Sequence, residues 1–289
     1  MLYLQTAVNG LVLGLIYTGL AVGLSLTMGV LGVINVAHSA FLILASLTAW
    51  QLVSSFGVDP LLTLVVLVPS AFVIGAALER VLIRRVAREA QTTALLVLFG
   101  VLIVIESIGI LIWTTDTRVL DVGYLSGAVS VGRLSVPYSR LAAALLSLVA
   151  VTALHLFLTR TLTGRSIRAM AQNRDAAALV GIKVPQLTTV VFGIGTALAA
   201  IGGVSLALAF PFTPQGHIQW LAWAFLVVVI GGLGSVRNTL LAGIVLGTVV
   251  SFAGVLVPFE YTYLIVYGLL ALALMIRSEG LLGAAERRI

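Results

Sequence analysis

Nine stretches of this sequence approach the length and apolarity that a lipid bilayer demands. A spanning helix needs about 20 mostly apolar residues. Residues 3–28, a run ending near 54, 61–82, 92–113, 137–158, 187–210, 218–230 with its flanks, 239–257 and 261–276 fit that pattern. Turn residues separate them, as at Phe56-Gly57-Val-Asp59-Pro60 and Pro258-Phe259-Glu260. The fold expected is an all-α polytopic membrane protein, a bundle of eight or nine transmembrane helices forming a single domain over residues 1–289. A soluble domain carries about 25% charged residues; this chain carries 9%, with 61% hydrophobic, which leaves no room for a separate soluble unit. The first apolar run has no basic leader or cleavage site and reads as a retained span.

The count turns on Gly29-Val-Leu-Gly32-Val-Ile-Asn35-Val-Ala-His38-Ser39, which interrupts the first hydrophobic stretch. If it reaches the surface there are nine spans, with the N-terminus outside and the C-terminus inside. If it dips back into the membrane there are eight, and the N-terminus changes side. A second glycine break, Gly231-Gly232-Leu-Gly234, echoes the first and suggests a faint internal repeat. Trp50, Trp113, Trp220 and Tyr261 fall near span ends, where interfacial aromatics belong.

Charge orients the bundle. Residues 160–186 hold five of the sixteen Lys and Arg, and short loops rich in these residues stay in the cytoplasm. With this loop inside, thirteen basic residues fall inside, among them Arg88, Arg277, Arg287 and Arg288. Arg118, Arg133 and Arg140 fall outside. The net charge of +6 then reflects cytoplasmic loops and anionic headgroups, not nucleic acid.

The loop also reads as folded. Gly164 and Gly181 bracket it as breaker and C-cap, and Pro185 stops what precedes it. Residues 166–171 and 175–180 form two short helical pieces, with Asp175 as N-cap of the second. Ile167, Met170, Leu179 and Val180 alternate with arginines. Such a loop docks a cytoplasmic partner or serves as a solvated basic linker.

Chemistry-bearing residues are few. Glu106 lies inside the fourth span, where an acid costs roughly 2.5–3.5 kcal/mol on insertion scales. It faces the bundle interior as a functional group, or is a protonated side chain hydrogen-bonded to a neighbouring helix or near the outer interface. Asn35, His38 and Ser39 sit on the first glycine break. Irregular backbone at membrane depth is tolerated only within protein or beside a water-filled cavity. They border a translocation path, or Gly29 and Gly32 make a tight helix contact and Asn35 caps the next helix. His155 and His217 read as interfacial. The chain has no cysteine, which excludes disulfides, thiol nucleophiles and thiolate metal sites. It has no G-x-x-x-x-G-K-[ST] to hold ATP and no H-E-x-x-H. Adjacent His38 and Ser39 do not face one another on a helix, so they are no catalytic pair. No cofactor is expected.

Four segments in order resemble the inner-membrane permease family of branched-chain amino-acid ABC transporters, the leucine/isoleucine/valine type. Residues 29–39 are similar to its G-x-x-G-x-I-N-F-A-H-G. Gly164-Arg165-Ser-Ile-Arg168-Ala-Met-Ala-Gln-Asn173, continuing to Gly181-Ile, resembles its cytoplasmic G-x-x-x-R-A-x-x-x-N-x-x-x-A-x-x-x-G-I loop. Gly231-Gly232-Leu-Gly234-Ser235 resembles G-G-x-G-S, and Arg277-Ser-Glu-Gly280-Leu-Leu-Gly283 its closing R-P-x-G-L-x-G. Val36 and Ser39 replace the usual aromatic and Gly; Arg237-Asn238 replaces Pro-Gly, and Ser278 the Pro. The resemblance implies a multi-pass subunit of an importer, with its C-terminus in the cytoplasm. Its partners would be cytoplasmic ATPases, a second permease (copy or paralogue) and an extracytoplasmic solute-binding protein. The coupling loop would use Gly164, Arg165, Arg168, Asn173 and Gly181. Substrates of the type are leucine-like or other amino acids, urea or short amides. The competing reading is a self-sufficient secondary transporter or channel built on Glu106.

Overall fold

A computed structural model describes residues 2–86, 91–132, 134–258 and scattered positions between 261 and 275. Helix α1 (Leu2–Leu31) is followed by α2 (His38–Phe56) and α3 (Pro60–Leu78). A π-helical turn (Glu79–Ile83) joins α3 to α4 (Arg84–Val86), and α5 (Gln91–Trp113) comes next. A hairpin of β1 (Ala128–Val131) and β2 (Leu134–Pro137) precedes α6 (Tyr138–Arg160). Then come α7 (Leu162–Gln172), α8 (Arg174–Leu179), α9 (Val184–Ala209), α10 (His217–Gly231) and α11 (Val236–Leu256). The all-α polytopic expectation holds. Among the described residues, seven helices are long and apolar enough to cross a membrane. Helix α10 has 15 residues, a rise of about 22 Å against a hydrocarbon core of about 30 Å. Half of the expected span at 261–276 lies outside the described residues, as do Arg88, Arg133, Arg277, Arg287 and Arg288.

Two helices form the spine. In α1 and α9, 83% of the most apolar stretch is buried; in the α3–α4 run and in α5 the share is 17%. The former are sheathed by protein, and the latter face outward. Small residues explain why α1 can be sheathed. Gly10 and Gly14 stack against Gly243 and Gly247 of antiparallel α11. A methyl carbon built on Gly247 would lie 2.2 Å from the Gly14 nitrogen. Without a hydrophobic drive between helices in lipid, such close backbone approach supplies the packing energy. Polar bonds stitch this seam and its neighbours: Ser25 to Thr239 at 2.9 Å between α1 and α11, Ser46 to the Gly203 carbonyl at 2.7 Å between α2 and α9, and Ser147 to Ser205 at 3.3 Å between α6 and α9.

The first glycine break does something neither simple alternative foresaw. His38 Nε2 lies 2.9 Å from the Leu20 carbonyl, so α2 starts level with the middle of α1. Eleven more residues of α1, about 16 Å of rise, lie beyond that level. The non-helical segment 32–37 therefore runs back into the bundle, and α2 continues to the far end. There Trp113 Nε1 donates to Gln51 at 3.0 Å, and Tyr124 donates to the Asp59 carboxylate. Gln5 of α1 bonds the Ser135 backbone in β2. The start of α1 thus sits at the end opposite the basic loop.

The interfacial tryptophans also differ from expectation. Trp113 and Trp220 lie near helix ends but are buried. Trp220 packs on Phe210 with ring centroids 5.1 Å apart. Trp50 carries the Arg118 guanidinium 4.3 Å from its ring centroid.

The α1–α11 seam makes a testable demand. Gly247→Ala should destabilise the detergent-solubilised protein by about 1–3 kcal/mol, the usual cost of overpacking. Gly254→Ala on the same helix meets no atom within 4 Å and should be neutral or slightly stabilising. Equal thermal unfolding midpoints for the two variants would contradict this packing.

Candidate functional site

The site begins where α1 stops. Gly32 takes φ +68°, a left-handed conformation that ends helices readily only at glycine. Beyond it the chain extends until the Asn35 carbonyl accepts from the His38 amide at 3.2 Å and α2 begins. Asn35, His38 and Ser39 are all buried at this level. Ser39 spends its hydroxyl locally, on the Val36 carbonyl at 3.3 Å. Asn35 behaves differently: neither the nitrogen nor the oxygen of its side-chain amide has a hydrogen-bond partner. His38 Nδ1 has none either. A carbonyl only accepts, so Nε2 carries the proton and Nδ1 presents a lone pair. Gly23 makes room for this ring; a methyl carbon there would sit 2.8 Å from Cε1. An unsatisfied buried polar group costs about 1–3 kcal/mol. Here Asn35 on the irregular segment and His38 at the first residue of α2 bear that cost.

The second glycine break lies directly against the first. A methyl carbon on Gly29 would fall 2.1 Å from Gly234 Cα. Gly232 and Gly234 hold φ of +84° and +85°, and Gly231 is pressed against Asn238 at the start of α11. The two similar motifs are thus joined as a contact, whatever their origin.

The basic loop folds into α7 and α8, as the sequence suggests, with different caps. Thr161 accepts from the Gly164 amide at 2.9 Å, so α7 starts before Gly164. Gly164 is not a breaker; it lies inside α7 because a side chain there would strike the Phe157 carbonyl. Asn173, not Asp175, caps α8, accepting from the Ala176 amide at 3.0 Å. Gly181, at φ +88°, closes the turn after α8. Ile167 and Met170 are buried in a cluster with Leu26 and Val30 of α1, Leu154 and Leu158 of α6 and Leu187 of α9. Arg165 and Arg168 point away from it and are exposed. Leu162, Leu179 and Val180 are each more than three-quarters exposed.

Two residues that the sequence did not single out complete the site. Arg174 reaches from α8 to the end of α1, donating to the carbonyls of Val30 at 3.3 Å and Leu31 at 2.8 Å. These are carbonyls that no further helical turn can satisfy. A cleft lined by Gly29–Val33 and Met170–Arg174 separates the two segments. Glu79, buried in the π-helical turn, pairs with Arg84 at 3.0 Å and accepts from Thr188 at 3.0 Å and from Thr189. Arg84 donates onward to the Pro185 carbonyl and to Thr189. This network ties α3 to the first turn of α9, whose dipole favours a carboxylate. Glu79 escaped notice because it adjoins a run of arginines and reads as a solvated span end.

Glu106 belongs elsewhere. Its carboxylate lies 3.8 Å from His217 Nε2, beside a small cavity lined by Ile43, Leu44, Leu47 and Pro214. His217, at the first residue of α10, is buried within the protein. Among the described residues no three His, Asp or Glu gather as a metal site.

Against known proteins, residues 6–274 match the sequence profile described as "Branched-chain amino acid transport system / permease component". The chain is 30% identical over 300 residues to the "High-affinity branched-chain amino acid transport system permease protein BraD" of Pseudomonas aeruginosa, covering 98% of this chain and 97% of that one. It is 29% identical over 307 residues to the corresponding protein LivH of Escherichia coli K12, covering 98% and 96%. Against LivH of Salmonella typhimurium it is 27% identical over 300 residues, with the same coverage as for Escherichia coli. No solved structure matches the chain.

The unsatisfied amide is open to test. Asn35→Leu should raise stability by about 1–2 kcal/mol, because an apolar side chain removes the desolvation cost without losing a partner. A lower unfolding midpoint would mean that the amide is held in the folded state.

Proposed function

Because this chain belongs to the branched-chain amino acid transport system / permease component family, we propose that it is the membrane-spanning subunit of an ATP-driven importer of branched-chain or related amino acids. It is a multi-pass inner-membrane protein and a transport subunit, with ATP hydrolysed on separate chains. Its partners are ATPase subunits and a substrate-binding protein. In our reading a second permease, copy or paralogue, completes the conduit within membrane lipid, and the C-terminus is cytoplasmic.

One observation supports the coupling role above the others. The amphipathic pair α7–α8 turns Arg165, Arg168 and exposed apolar residues outward while its inner face grips the end of α1. A linker needed only for topology has no reason to do both. ATPase subunits docked there would bias the permease between two conformations by differential contacts. The path itself runs by Asn35 and His38, where polar groups stand ready within a shielded segment. Most of the substrate selectivity falls to the binding protein. Glu106 fits a structural part better than an ion site, since His217 already faces its carboxylate.

Reconstitution decides the matter. Vesicles holding this chain, its ATPases, a second permease and the binding protein should take up leucine only with ATP. Arg165→Ala with Arg168→Ala should lower uptake at least ten-fold and weaken ATPase co-purification while insertion stays normal. Asn35→Phe should block uptake without lowering expression. Solute accumulation by the purified chain alone on an ion gradient, abolished by Glu106→Gln, would replace this reading with the secondary-transporter one. Preference for urea or a short amide over leucine would redirect the substrate class.

A further inference from the structure

We infer that Arg174 is the positioning residue that transmits motion of the α7–α8 loop to the translocation break, by holding the last carbonyls of α1. This rests on the coupling role proposed above and adds the physical link within the chain.

The geometry carries the argument in three steps. First, α1 ends in carbonyls that carry the negative end of the helix dipole. The Arg174 guanidinium bridges two of them, Val30 and Leu31, across a cleft. Both bonds leave one terminal nitrogen, Nη2, and they are charge-assisted and directional. Second, Arg174 is the first residue of α8, fixed by the Asn173 cap. A shift of α8 therefore moves the guanidinium with it. Third, the end of α1 is not free to absorb that shift. Gly29 is in backbone contact with Gly234, so the α10–α11 turn must follow. Immediately beyond Leu31 lies the non-helical segment with Asn35, which leads into His38 at the start of α2. One pull on Val30 and Leu31 thus reaches both glycine breaks and the segment that carries the unpaired polar groups.

Apolar packing of Ile167 and Met170 also joins the loop to α1, but it slides more easily than two directional, charge-assisted bonds from one arginine. The inference separates the two. Without Arg174 the loop should stay folded and keep its ATPase, and only the transfer of motion should fail.

The absence of native cysteine gives a clean readout. Val33, which lines the cleft beside Arg174, is replaced by cysteine in the full complex. Its labelling by a membrane-impermeant maleimide is followed with and without ATP, together with leucine uptake per ATP hydrolysed. With Arg174 intact, labelling should change at least three-fold on adding ATP. Arg174→Ala should abolish that change and lower uptake per ATP at least ten-fold while ATPase co-purification and hydrolysis persist. Arg174→Lys, which keeps the charge but not the guanidinium's reach and shape, should fall between. Unchanged uptake per ATP in Arg174→Ala would overturn the inference. So would loss of ATPase binding in both variants, which would place Arg174 in the docking surface instead. Failure of the parent complex to take up leucine with ATP would count against the coupling role itself, apart from Arg174.

Discussion

Helix α1 is held on its α11 side by backbone more than by side chains. Gly10 and Gly14 meet Gly243 and Gly247, and Gly29 meets Gly234, each pair too close for a methyl carbon. In lipid every backbone group must be satisfied within the protein. A helix that starts at half depth, as α2 does, is preceded by irregular backbone that no regular ladder satisfies. Sheathing α1 in protein gives that segment a protein wall to return along. Most of the other features follow: the return of segment 32–37 with Asn35 buried, the half-depth start of α2 and the arginine at the helix end.

Polar groups are distributed unevenly around that spine, and the pattern separates support from action. Glu79, Arg84, Thr188 and Thr189 satisfy one another and brace α3 against α9. Ser25, Thr239, Ser46, Ser147 and Ser205 tie neighbouring helices in the same self-contained way. Asn35 and His38 Nδ1 alone among these keep unspent capacity, one on the segment without regular structure and the other at the first residue of the helix that follows it. Nothing in helix packing requires an unpaired amide there. Its cost is easier to understand where a polar solute or water passes.

Much of this was legible from residue types, and the misses share one cause. The two helices of the basic loop were readable from the spacing of Ile167, Met170 and the arginines. Their caps were not, because Asn173 and Asp175 are both good cap residues. Where α7 runs out decides between them. Glu106 stood out in an apolar run, yet Glu79 is the more buried acid. Its neighbours Arg80, Arg84 and Arg85 made it look solvated. One unread signal was available. Gly10-x-x-x-Gly14 and Gly243-x-x-x-Gly247 are the spacing by which membrane helices approach closely.

Hydropathy and charge add up locally, so the chain's order of residues alone determined that lipid is its solvent, that helices fill it, and that residues 160–186 form its basic end. The resemblance of four short segments determined the family. Which helix lies at the centre, where α2 begins and what Arg174 holds were decided only in three dimensions. Each depends on partners far apart in the chain: Gly29 with Gly234, Leu31 with Arg174, Glu79 with Thr188. No local pattern encodes such pairs, because it is the close packing of helices in lipid, with little water to serve as an alternative partner, that selects them.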